Sequence, residues 1–183
     1  SSELVEVGEQ RVRELEQCWT RFSPDSELMT FNRRAGRWTA VSSDLSLVFW
    51  RGIGGFRISD GLFNTFLGEQ IREVGYDRDF YELDVQSTAA ADDEVTVPGV
   101  QRPTTNWHPL QFQRNRQLAR LAPGVEFDSG GIGKGLGADM VVSELLSAGA
   151  AGAMVSLGGD VSVGGTWPDE GWRIGIEDPT GRS

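Results

Sequence analysis

The sequence predicts an α+β fold, with N-terminal helices packed on a mainly antiparallel sheet and one strand–glycine loop–helix unit. Three observations lead there. Residues 3–22 place Val12, Leu15, Trp19 and Phe22 at helical spacing, with Glu and Arg between them. The stretch "FDSGGIGKGLGAD", residues 127–139, sets five glycines between a strand-like "GVEFD" and a helical stripe of Ala138, Val141, Val142, Leu145 and Ala148. Beyond it, "AMVSLGGD", "DVSVGGTW" and "WRIGIEDP" alternate as strands do, with Trp172, Ile174 and Ile176 facing one way and Arg173 and Glu177 the other.

Each element has its own local cause. "FSPDSEL" ends the first helix, because Pro24 and its neighbours favour a turn. Ser43 or Asp44 caps a second helix carrying Leu45, Leu47, Val48 and Trp50, since a short polar side chain there accepts from the open amides of the first turn. "RISDGLFNT" is the next punctuation, and a short helix runs on from Thr65 to about Val74. Residues 84–109, rich in Ala, Asp, Pro and Thr, read as a long connection with little regular structure. The late helix closes near Gly149, a residue suited to the left-handed end of a helix. "AMVSLGGD" runs as a strand into a Gly-Gly turn, and "DVSVGGTW" with "WRIGIEDP" predicts an antiparallel hairpin.

Composition narrows the function. A net charge of −10 and the lack of a Lys/Arg cluster argue against nucleic acid and against an anionic membrane surface. No apolar run is long enough for a transmembrane segment. The single cysteine, Cys18, excludes an intrachain disulfide and reads as a small core residue. The single histidine, His108, precedes Pro109 in a loop-like stretch and reads as a surface residue, which disfavours Ser/His/Asp hydrolysis. The compartment, cytoplasmic or extracytoplasmic, is left open.

The glycine loop is the chemical focus. A strand, a glycine loop and a helix in this order present amides at a helix N-terminus, where an anion is favoured, and Lys134 adds a full positive charge. A tight packing turn is the competing reading. The Walker A pattern fails twice, because Gly135 comes directly after Lys134 and Asp128 stands where its first glycine belongs. Gly133 to Ala138 fits G-x-G-x-x-A, but the chain beyond the helix reads as a hairpin rather than another βα unit, which disfavours a nicotinamide dinucleotide. Asp128 and Asp139 bracket the loop. They would repel phosphate unless a metal or a donor intervenes, or Asp128 would simply pair with Lys134.

Several segments together resemble the ApbE-type FAD:protein FMN transferases. "DSGGIGKGLGAD" is similar to that family's D-x-G-G-[IV]-[AG]-K-G-x-x-x-D signature. "FSPDSELMTFNRRAG", "SDGLFNTFLG", "VSLGGDVSVGG" and "WRIGIEDP" resemble further family segments in the same order, so that the matches span residues 19–179. The resemblance implies one ApbE-like domain over 1–183, Mg²⁺-dependent splitting of FAD, transfer of FMN to a threonine of a target flavoprotein, and release of AMP. It implies cofactor contacts at Phe22, Leu62, Phe63, Asn64, Asp128, Lys134, Gly158, Gly159 and Asp160, and a main-chain metal ligand at Gly131.

The departures from the family pattern define the alternatives. Asn64 stands for a usual Asp, Phe66 for a usual Thr, Ser129 for a common Leu and Ser156 for a common Asn. The family's later segment, with an Asp and a Thr as side-chain metal ligands, has no counterpart before Ser183, so the sequence reads as truncated at its C-terminus. A non-catalytic FAD-binding or scaffold homologue, or an FAD pyrophosphatase, is therefore carried beside the transferase.

Overall fold

A computed structural model describes residues 2–73 and 109–176. They fall into two compact units, one of residues 1–13 and 134–183 and one of residues 14–133. His108 and most of the long connection, residues 84–108, lie outside the described residues. Helix α1 (Ser2–Trp19) runs through the boundary between the units. No helix among the described residues is long and apolar enough to cross a membrane.

The unit of residues 14–133 is built around phenylalanines. Helix α2 (Glu27–Asn32) buries Leu28 and Phe31, and helix α3 (Ser43–Ile58) buries Leu45, Val48, Phe49 and Phe56. The Phe49 ring meets Phe31 and Phe127, each at 4.8 Å between centroids, and Phe66 joins Phe127 at 5.6 Å. The Phe49–Phe127 and Phe66–Phe127 pairs are edge-on, which brings positive ring edges to negative faces and adds to the burial of large apolar surfaces. A three-stranded antiparallel sheet, β1 (Thr39–Ala40), β2 (Leu110–Gln113) and β3 (Leu118–Leu121), has the order β1-β3-β2. Helix α4 (Gly68–Glu73) falls within the stretch expected to be helical.

Helix α2 is the main element that sequence pattern does not reveal. Its length of 6 residues is too short for periodicity to show, and an isolated helix of that size is unstable in water. Its stability comes from caps and burial. Ser26 accepts from the Met29 amide at 3.1 Å, and Glu27 accepts from the Ser42 amide at 2.6 Å. Ser42, one residue earlier than expected, is itself the cap of α3 through the Leu45 amide at 3.0 Å. The conspicuous "PDSEL" run thus folds the chain, with Ser26 and Glu27 each closing a backbone donor that would otherwise be open.

Asn32 ends α2 and is 6% exposed. Its amide donates to the Phe127 carbonyl at 2.9 Å and accepts from the Phe127 amide at 3.0 Å. A side chain here does what a neighbouring strand would do. The strand expected at "GVEFD" is not formed. Residues 125–128 carry no ladder and are held by Asn32, by Thr65, whose carbonyl accepts from the Asp128 amide at 2.7 Å, and by the Gly68 amide, which donates to the Glu126 carbonyl at 3.3 Å.

In the other unit, helix α5 (Gly133–Ser147) continues past the boundary from Gly133 and is apolar on two adjacent sides. Val141 and Leu145 lie against Gly8 of α1, and Arg11 pairs with Glu144 at 3.0 Å. Val142 and Leu146 lie against Gly164. Strands β4 (Gly152–Leu157) and β5 (Asp160–Gly165) form an antiparallel hairpin. Leu157 pairs with Asp160 across Gly158 and Gly159, whose φ values are +57° and +96°. Such a two-residue turn matches the right-handed twist of the strands it joins, and glycine takes it without strain. Among the described residues the hairpin expected between "DVSVGGTW" and "WRIGIEDP" does not occur: β5 pairs with β4, and residues 172–176 carry no strand.

Two consequences for stability can be measured. Asn32→Ala should lower unfolding free energy by about 3 kcal/mol in urea denaturation, because it leaves a buried donor and a buried acceptor unmet. The buried Cys18 thiol donates to Glu27 at 3.1 Å, and its pKa is pushed from 9.0 up to about 12 by burial and then by that bond. The folded chain thus holds this proton where the unfolded chain would release it. The thiol's contribution to stability is complete below pH 9 and is lost as pH rises from 9 toward 12, because the unfolded thiol ionises first. The alkaline fall in urea midpoint should be shallower in Cys18→Ala.

Candidate functional site

The glycine loop leaves the Phe127 anchor with its first residue fixed three ways. Asp128 is 6% exposed. Its amide donates to Thr65, its Oδ1 accepts from the Gly130 amide at 2.7 Å, and its Oδ2 accepts from Arg21 Nη1 at 3.2 Å. A buried carboxylate without such partners would cost several kcal/mol, so the ion pair is what permits an acid at this place. Asp128 therefore pairs with Arg21, two residues beyond α1, and not with Lys134, the partner its place in the sequence suggests.

The rest of the loop is fastened to itself. The Ser129 hydroxyl donates to the Trp19 carbonyl at 2.7 Å. The Ser129 carbonyl accepts from the amides of Ile132 at 3.0 Å and Gly133 at 2.7 Å. The amides of Gly130, Ile132 and Gly133 are thus engaged within the loop, so any open donors of the expected kind belong to the first turn of α5 beyond them. Gly130 and Gly131 are exposed.

Gly131 is glycine for a steric reason. A Cβ built there would stand 2.7 Å from Cε2 of Phe63, and one built at Gly55 of α3 would stand 2.7 Å from its Cδ1. The Phe63 ring is wedged between the helix and the loop, with close approach possible only where both lack side chains. Ser59 holds the Phe63 amide at 2.8 Å. Asn64 Oδ1 accepts from the Phe66 amide at 2.9 Å, the bond of an ordinary Asx turn. Leu62 is 78% exposed. Phe22 is 43% exposed, and the Arg21 guanidinium lies 4.9 Å from its ring centroid. The structure thus joins Phe22 to Asp128 through Arg21, and Phe63 to Gly131 by contact.

The remaining candidates belong to the other unit. Lys134 is exposed in the first turn of α5, and its side chain runs along the Gly158–Gly159 turn. A Cβ at Gly158 would stand 3.0 Å from Lys134 Cδ and 3.4 Å from Nζ. Asp160, the first residue of β5, is exposed, and its Oδ2 lies 3.9 Å from the place of a Cβ on Gly135. Lys134 is therefore a neighbour of the Gly158–Gly159 turn, and Asp160 stands close to Gly135.

Arg21 is the site residue that sequence reasoning misses. A lone arginine after a helix carries no periodic signal, although its place beside Phe22 is visible. Among the described residues no group of three or more His, Cys, Asp or Glu could hold a metal ion.

The aromatic core and a side-chain strand mimic fix one glycine loop on an α+β scaffold. The chain belongs to the ApbE family, whose profile matches residues 3–183. The fold agrees. The ApbE protein from Thermotoga maritima superposes with a TM-score of 0.73 at 20% identity, over 97% of this chain and 56% of its own. The apo form of the flavinyl transferase ApbE from Pseudomonas stutzeri gives 0.72 at 20%, over 98% and 56%. The flavin transferase ApbE from Vibrio cholerae gives 0.72 at 23%, over 98% and 56%. The chain thus spans a little over half the length of these solved structures. No curated protein sequence matches it.

Gly131→Ala should drive a methyl into the Phe63 ring and cost about 1–3 kcal/mol by thermal unfolding. Adding Phe63→Leu should return part of that loss.

Proposed function

We propose that this chain carries the FAD-binding part of an FAD:protein FMN transferase. The observation that carries the reading is the family match over residues 3–183. Two of the similar structures are named flavin or flavinyl transferases, which supports the same activity class. In the proposed reaction a threonine hydroxyl of a target flavoprotein attacks the phosphorus of the FMN half of FAD. A new P–O bond forms, the pyrophosphate bond to the AMP half breaks, AMP leaves, and the hydroxyl proton passes to solvent.

The proposal gives each candidate a task. Phe22, Leu62, Phe63 and Asn64 bound the flavin nucleotide. Asp128 is an acceptor whose charge is already balanced by Arg21. Lys134 supplies the positive charge for phosphate, and Gly158, Gly159 and Asp160 form a turn beside it. Binding of this kind serves catalysis by holding reacting atoms in line and by meeting charge on the leaving phosphate.

The family resemblance also implies Mg²⁺, with the Gly131 carbonyl as a ligand. The described residues do not fit a complete magnesium site, since they offer no cluster of acidic or imidazole ligands near one another. A second reading with the same binding residues is a non-catalytic FAD-binding homologue. An FAD pyrophosphatase, in which water replaces the threonine, would bind the same nucleotide.

Titration with FAD, with and without Mg²⁺, tests the binding claim. Micromolar affinity for FAD, with none for NADH, is expected, and Lys134→Ala should weaken FAD binding about tenfold. Chromatographic detection of AMP separates the readings: release that depends on an added threonine-bearing flavoprotein marks transfer, release without it marks hydrolysis, and binding with no release marks the non-catalytic homologue. Failure of FAD to bind would sink all three.

A further inference from the structure

Arg21 is not among the residues that the family resemblance marks, yet it touches two that are. Its side chain is 11% exposed and pairs with the Asp128 side chain, which is 8% exposed. The Arg21 guanidinium also lies 4.9 Å from the centroid of Phe22. A guanidinium is planar and delocalised, so one N–H can meet a carboxylate while its carbon stands over an aromatic ring, which restricts how that ring can turn. The carboxylate in turn is fastened to the loop by the Gly130 amide at 2.7 Å. Phe22 keeps 43% of its surface open to solvent.

We infer that Arg21 is a positioning residue, which locks the ring plane of Phe22 to the head of the glycine loop so that ring and loop meet one flavin nucleotide in a fixed relation. This rests on the transferase reading above. Its chemistry has two separable parts. Any cation of similar reach satisfies the buried Asp128 and keeps the fold. Only a planar one sets the ring. A lysine ammonium is a compact point charge with no face to lay on an aromatic ring in a defined orientation.

The test is FAD binding read by flavin fluorescence in the full chain, with Arg21→Lys, Phe22→Leu and the double variant. Arg21→Lys should melt within about 3 °C of the wild type, because the ion pair survives. It should nonetheless bind FAD about tenfold more weakly. In the Phe22→Leu background the lysine substitution should add nothing, because the ring it positions is gone. Affinity within about twofold of wild type in Arg21→Lys overturns the role, and so do two effects that multiply fully in the double variant. A wild-type chain that leaves FAD fluorescence unchanged overturns the transferase reading itself, and this role with it.

Discussion

The paired hydrogen bonds between the Asn32 side chain and the Phe127 backbone, at 2.9 and 3.0 Å, are what the rest of the loop region depends on. Residues 125–128 have no ladder partner, so their buried backbone groups need substitutes. Asn32 supplies one donor and one acceptor in the spacing a strand would offer. Because Asn32 closes α2, the loop's position is set by that helix, whose own position is set by Ser26, Glu27 and the buried Leu28 and Phe31. Small errors at the cap of a 6-residue helix are thereby passed to Asp128, one residue past the anchor.

The charge pattern obeys the same logic of local compensation. A chain with net charge −10 places an aspartate at the head of a loop proposed to take a doubly charged pyrophosphate. Arg21 balances it within the same compact unit, at 3.2 Å. Lys134 remains exposed in the other unit, beside a turn that carries no side chains at Gly158 and Gly159. The amides of Gly130, Ile132 and Gly133 are fastened within the loop, which stiffens its head.

The long periodic elements are legible in the sequence, because α1, α3 and α5 repeat apolar residues at helical spacing and the Gly158–Gly159 turn announces a hairpin. The fold class rests on these. Helix α2 is hidden because six residues hold less than two turns of pattern. The β2–β3 hairpin is hidden because its connection, Arg114 to Gln117, has no Gly or Pro, although the alternation in "LQFQ" and "LARL" is there to be read. "WRIGIEDP" alternates well and yet forms no strand over residues 172–176. In the site, Asp128 and Lys134 are legible as chemistry. Their partners are not, because Arg21 reaches Asp128 from 107 residues away along the chain.

The Phe63 ring held between Gly55 and Gly131 binds three distant positions into one volume. Their inheritance cannot be independent. A lineage that enlarges either glycine must shrink the aromatic, and one that keeps the aromatic must keep both gaps. Across descendants of this sequence the summed bulk at these three sites should therefore drift less than the bulk at any one of them, so Gly131 answers a steric limit of its own.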